Sequence, residues 1–145
     1  MKPSILYRIA AILLLLFAIG HTAGFSQADP SWHVDGVLSS MQSVHFDVQG
    51  ASRTYWDFFL AAGFTVGALY LFAAILAWQL GSLSPATLRS MRLSRWSFAL
   101  CFAVITALSA RYLFVIPIVL SGAATICLVA AALVANKETQ PIGTS

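Results

Sequence analysis

Four long apolar runs set the plan of this chain, at about residues 5–24, 57–80, 96–115 and 117–135. A helix that crosses a bilayer needs about 20 mostly apolar residues, and each run meets that length. The pattern predicts an all-α fold: an integral membrane four-helix bundle, one transmembrane domain over residues 1–145. The last two runs are parted by little more than Pro117, a residue suited to a first helical turn, where its missing N–H would be unpaired anyway. A tight turn around Val115 to Pro117 makes these two helices an antiparallel hairpin.

The longest polar segment, residues 25–54, is itself patterned. Asp29 followed by Pro30 reads as a helix N-cap and first residue. Val34, Val37, Leu38, Met41, Val44 and Val48 then recur at spacings of three and four, one apolar face of a helix. Asp35, Ser39, Ser40, Gln42 and Ser43 occupy the opposite face. The expectation is an amphipathic helix in the outer loop between the first and second spans, ending before Gly50. A β-hairpin is the weaker reading, because strict alternation is absent. Ser52 or Thr54 then caps the second span, with Asp57 in its first turn, where the helix dipole favours an anion.

Composition supports a lipid environment: of 145 residues 59% are hydrophobic and 9% charged, against roughly a quarter charged in soluble domains. The net charge of +3 is explained by where the charges lie. Lys2, Arg8, Arg89, Arg92, Arg95 and Lys137 fall on one side of a four-span chain, Arg53 and Arg111 on the other. By the positive-inside rule both termini are cytoplasmic, residues 81–95 form an inner loop and residues 25–54 an outer one. The stretch "RSMRLSR" therefore reads as a topology signal or an anionic-lipid contact, and not as a nucleic-acid surface. Tyr7, Trp78 and Trp96 mark the inner boundary and Trp32, Tyr55, Trp56 and Tyr112 the outer one, as interfacial aromatic rings do. Cys101 and Cys127 fall at different depths and read as small packing residues.

Small residues are spaced for close helix contact: Gly63 and Gly67 on the second span, Ala99, Ala103 and Ala107 on the third, and Ala123, Cys127 and Ala131 on the fourth. Such faces let backbones approach within a bundle, and Gly63 with Gly67 could instead join two copies as a homo-oligomer.

Ionisable side chains are expensive inside a membrane, so their placement is the best clue to function. None falls near the middle of a span; the polar residues there are Thr65, Thr106 and Thr125. A coupled transporter, which needs a midplane carboxylate or broken helices, is disfavoured. At 1.5 Å per residue, His21 stands roughly 24 Å above Ile5 and Arg111 roughly 22 Å above Trp96, with Asp57 at the same level. All three histidines and four of the five acidic residues lie on this outer side. His21, Arg53, Asp57 and Arg111 are the candidate ligand-binding residues, and His21 and Asp57 the candidate catalytic ones. Each has a plainer role: Arg111 as a snorkelling or Asp57-paired residue, Arg53 as partner of Asp57 four positions on, His21 as a hydrogen-bonded histidine in a packed helix end. No local histidine spacing defines a metal site, and the sequence assigns no cofactor.

Two segments, "GHTAGF" (Gly20 to Phe25) and "GASRTYWDFFLAAGF" (Gly50 to Phe64), resemble a group of small uncharacterised bacterial four-helix inner-membrane proteins. The resemblance rests on Gly20, His21, Gly24, Gly50, Arg53, Trp56, Asp57, Gly63 and Phe64. It implies the four-span fold and a bacterial inner membrane, and it implies no activity.

Three functions compete. The first is an accessory protein that binds a lipid, a quinone or a partner membrane protein through the outer polar cluster. The second is an enzyme at the outer boundary with His21 as acid or base. The third is a channel or transporter subunit. The first span also has signal-peptide features: Lys2 and Arg8 ahead of an apolar core, and Ser26 and Ala28 before Asp29. Its core of about 16 residues exceeds the usual 7 to 15, and eight more separate it from the cut. The expectation is retention. N-terminal sequencing of the mature protein should begin at or beside Met1; a start at Asp29 would overturn this.

Overall fold

The computed structural model describes residues 1–137, with Lys137 described by its backbone alone. The chain is mostly helical: α1 (Pro3–Gly24), α2 (Asp35–Ser43), α3 (Tyr55–Ser82), α4 (Pro85–Ser90), α5 (Arg92–Tyr112) and α6 (Val115–Lys137), with strands β1 (His45–Val48) and β2 (Ala51–Thr54) between α2 and α3. Four of these helices, α1, α3, α5 and α6, are long and apolar enough to cross a membrane. The chain divides into two compact units, one of Met1–Phe17 with the segment from Tyr70 onward, the other Ala18–Leu69. Helices α1 and α3 run through both.

In the first unit each helix buries a stripe. On α1 it comprises Leu6, Tyr7, Ala10, Ala11, Leu14 and Phe17; on α3, Tyr70, Ala73, Ala74, Ala77 and Leu80. The three-and-four spacing is that of one helical face. Phe17 stacks on Tyr70 with ring centroids 3.9 Å apart, and Tyr70 meets Phe102 of α5 edge-on at 5.5 Å. At the other end of the seam a Cβ on Gly81 would lie 3.0 Å from the Ser4 carbonyl oxygen and 3.3 Å from the Tyr7 Cβ, so glycine lets the two backbones touch.

Helices α5 and α6 form a hairpin whose break falls at Leu113 and Phe114, slightly before the expected position. The Leu113 N–H closes α5 on the Ser109 carbonyl at 2.9 Å, and Pro117 stands in the first turn of α6. The buried face of α6 includes Ser121, Ala124, Leu128, Ala131, Ala132 and Ala135. Of the face expected from spacing, Ala131 belongs to it, while Ala123 and Cys127 are half-buried beside it. On α5 Ala99 is buried but Ala107 is exposed. Small size alone did not identify the packed side, because leucine and phenylalanine share it. The hydroxyls of Thr106 and Thr125 lie 2.9 Å apart and link the two helices, and each also has a carbonyl four residues back at 2.8 Å.

Arg95 corrects the sequence reading. Grouped there with Arg89 and Arg92 as a boundary charge, it is 1% exposed. Its Nη1 donates to the Ala132 carbonyl at 3.0 Å, and its Nη2 to the Asn136 side-chain oxygen at 3.0 Å and the Arg89 carbonyl at 3.4 Å. None of these partners is a carboxylate. Ala132 and Asn136 lie near the C-terminus of α6 and Arg89 in the last turn of α4, so the cation meets the negative ends of two helix dipoles. Helix α4, not anticipated in the inner loop, starts where Ser84 accepts the Thr87 N–H at 3.2 Å, with Pro85 as first residue. Tyr7 likewise is no boundary ring: it is fully buried, and its hydroxyl has no hydrogen-bond partner among the described residues.

The second unit holds the largest correction. Asp29 does cap a helical start, accepting the Ser31 N–H at 2.8 Å; the Ser31 side chain first, and this bond second, hold its carboxyl below the usual carboxylate range. That start is a 3₁₀ turn over Pro30–Trp32, ended by His33 at φ 52°. Helix α2 then covers Asp35–Ser43 alone. Val44 and Val48, assigned to its apolar face, lie outside it, and residues 45–54 form the antiparallel hairpin that the sequence reading ranked second. Gln49 and Gly50, at φ 50° and 84°, make the tight turn, two successive positive φ values being the two-residue geometry that matches strand twist. Four-residue strands are too short for alternation to register against a valine spacing that imitates a helix.

One substitution pair tests the Arg95 clamp. Arg95→Lys keeps the buried charge but cannot span three separated acceptors, and should lower stability in detergent by about 2 kcal/mol. Arg95→Met removes charge and donors together and should cost less. Reversible unfolding in denaturing detergent measures both.

Candidate functional site

The sequence-predicted cluster divides between the units. In the second unit, His21 lies in the last turn of α1, and its Nε2 is 3.0 Å from the Gly63 carbonyl of α3. A carbonyl only accepts, so this ring nitrogen carries its proton and donates. The His21 ring stacks on Phe25 at 5.3 Å, and Phe25 in turn contacts Phe59 at 5.6 Å and Phe64 at 5.1 Å. Glycine at 63 makes this possible, because a Cβ there would collide with the Phe25 ring; at Gly67 it would collide with the Thr22 hydroxyl. The Gly63 and Gly67 face is thus filled by side chains of the same chain.

Asp57 and Thr54 form a capping box. The carboxylate accepts the Thr54 N–H at 2.9 Å and the Thr54 hydroxyl accepts the Asp57 N–H at 3.2 Å, which satisfies two donors at the start of α3. Thr54 is therefore the cap that the sequence placed at Ser52 or Thr54. Arg53, opposite Phe46 in the hairpin, donates to the Ser52 carbonyl at 2.8 Å. Phe46 packs on Tyr55 at 4.9 Å and on Phe58 at 5.9 Å, fixing the hairpin to the head of α3. Arg111 belongs to the first unit, where it is exposed with its guanidinium 5.3 Å from the Tyr112 ring centroid. Among the described residues no group of three or more His, Cys, Asp or Glu is arranged to hold a metal ion.

The first unit carries a feature that sequence reasoning missed. A groove of about 200 Å³ runs along the seam of α1 and α3, almost wholly apolar, with Ala11 and Ala74 at its floor and Ile12, Leu15, Leu71, Ile75 and Trp78 as walls. The floor residues are 4% and 5% exposed, whereas the wall residues are 41% to 52% exposed. Two alanines facing each other between larger neighbours leave the trough. At one end the Arg8 guanidinium lies over the Trp78 ring, 5.4 Å from its centroid, a cation–π contact. The sequence showed Arg8 and Trp78 as separate boundary markers; that both stand seven residues from the far walls, Leu15 and Leu71, was the available signal.

The chain matches no family model, no curated protein and no solved structure. Its class is set by its own four helices of membrane-spanning length and apolarity.

The glycine contacts give a direct contrast. Gly63→Val should destabilise the protein by roughly 1–3 kcal/mol, because the Phe25 ring must be expelled. Gly20→Ala, where a Cβ meets nothing within 4 Å, should leave stability unchanged or raise it by up to about 1 kcal/mol. Thermal unfolding of the two variants in one detergent measures the difference.

Proposed function

We propose that this chain is a multi-pass protein of the bacterial inner membrane that serves as a lipid-binding accessory protein. Four apolar helices support a membrane location, and the basic residues concentrated on the side of the N-terminus support cytoplasmic termini. The observation that carries the binding role is the α1–α3 groove. At about 200 Å³ it falls below the roughly 300 Å³ at which sites for drug-sized ligands begin. It suits a segment of a hydrocarbon chain. Its open side and apolar walls present the surface that an acyl chain covers.

The catalytic and transport readings draw less support. The His21 Nε2 is held by a backbone carbonyl and Asp57 by a helix cap, so both have structural work. Thr106, Ser121 and Thr125 of α5 and α6 each meet a backbone carbonyl of their own helix, so these hydroxyls too are engaged within the helices.

The full chain purified in mild detergent should carry a glycerolipid in native mass spectrometry. Ala74→Leu, which extends a side chain into the trough, should reduce the bound fraction to background with an unchanged helical circular dichroism spectrum. Protein that emerges without any bound lipid, or a variant that binds as well as the parent, would contradict the reading.

A further inference from the structure

The groove has a chemically distinct end. Ile12 and Leu15 on α1, and Leu71, Ile75 and Trp78 on α3, line the trough, and Arg8, four residues before Ile12, continues the α1 face just beyond it. At that end the Arg8 guanidinium lies on the Trp78 ring. Arg8 is exposed, and no hydrogen bond or ion pair holds it among the described residues. A guanidinium lying over an aromatic ring uses its face and leaves its N–H edge, five donors in a planar fork, to meet an anion. That fork matches phosphate oxygens, which it binds with two parallel hydrogen bonds.

Resting on the reading of the groove as a lipid site, we infer that its ligand is an anionic glycerophospholipid, with one acyl chain in the trough and the phosphate on Arg8. The dimensions agree. Arg8 and Leu15 are seven residues apart, roughly 10 Å along the helix, or about a third of a hydrocarbon core some 30 Å thick. A chain that descends from a phosphate at Arg8 therefore follows the trough to its far end at Leu15 and Leu71 without leaving its own leaflet. A zwitterionic lipid fits the same trough, but its ammonium cancels the attraction that the arginine supplies. The leaflet is the one on the side of the N-terminus, where the excess of basic residues also stands.

The test offers delipidated full-length protein in mild detergent an equimolar mixture of phosphatidylglycerol and phosphatidylethanolamine with identical acyl chains, and reads bound masses by native mass spectrometry. The expected result is a preference of about fivefold for the anionic lipid, the size that one basic side chain near a membrane surface confers. Arg8→Gln should bring the ratio to parity while still binding lipid, and Arg8→Lys should retain most of it. Arg92→Gln removes an exposed charge outside the groove and should leave the ratio unchanged. Parity in the parent protein, or an equal loss in Arg8→Gln and Arg92→Gln, overturns the inference and leaves the groove a neutral chain site. Absence of both lipids from the parent overturns the lipid-site reading itself.

Discussion

Backbone contact between α1 and α3 at Gly81 is the constraint on which the rest of the first unit depends. Where a methyl group would press on the Ser4 carbonyl, the two helices touch directly, and the stacked Phe17 and Tyr70 rings join them again farther along. Two helices fixed at both positions cannot close over the alanines between them. The trough above Ala11 and Ala74 is thus a product of what holds the seam together. In a membrane, where apolar side chains gain nothing by leaving lipid for one another, small residues and close packing are the available means of association. The same means leaves an open apolar space along the seam, the one proposed above to take an acyl chain.

The second organising feature is a charge taken out of water with no carboxylate among the described residues to receive it. Arg95, on α5, lies among the C-terminal carbonyls of α4 and α6. Three helices of one unit thereby answer to one guanidinium. Burying a cation is costly, and the cost is offset only while every acceptor is held in place. The arginine joins α4, α5 and α6 through three acceptors. It sits at the end of the unit opposite the Phe17–Tyr70 stack, so the helix ends are fixed independently of the aromatic contact.

Much of this was legible in the sequence, and the limits have physical causes. Hydropathy located all four long helices, because a lipid-crossing helix must be apolar over its whole length and nothing else in the chain is. A cap at Ser52 or Thr54 and an anion at Asp57 were legible because that chemistry is local, whereas the reciprocal bonding of Thr54 with Asp57 came from the structure. The hairpin was obscured: Val44 and Val48 continue the valine spacing of α2, while the turn that excludes them depends on backbone angles at Gln49 and Gly50. Arg95 and Tyr7 were placed at the boundary because residue type shows that a side chain tolerates an interface, not which way its helix is turned. Of the candidate site residues, His21 and Asp57 do lie at helix ends as expected, each engaged with the backbone. The groove left only a faint trace, the matched seven-residue spacing from Arg8 to Leu15 and from Leu71 to Trp78, since its floor is two alanines more than sixty positions apart.

The central claim, that lipid occupies the α1–α3 seam, is tested most directly by photo-crosslinking in membranes with a phospholipid that carries a diazirine in its acyl chain. Mapped by peptide mass spectrometry, the adducts should concentrate on residues 8–15 and 71–78, the two sides of the groove. Adducts spread evenly over the exposed apolar positions of α5 and α6, such as Leu100, Val104, Leu108, Val119 and Ile126, would show bulk lipid contact alone and contradict the account.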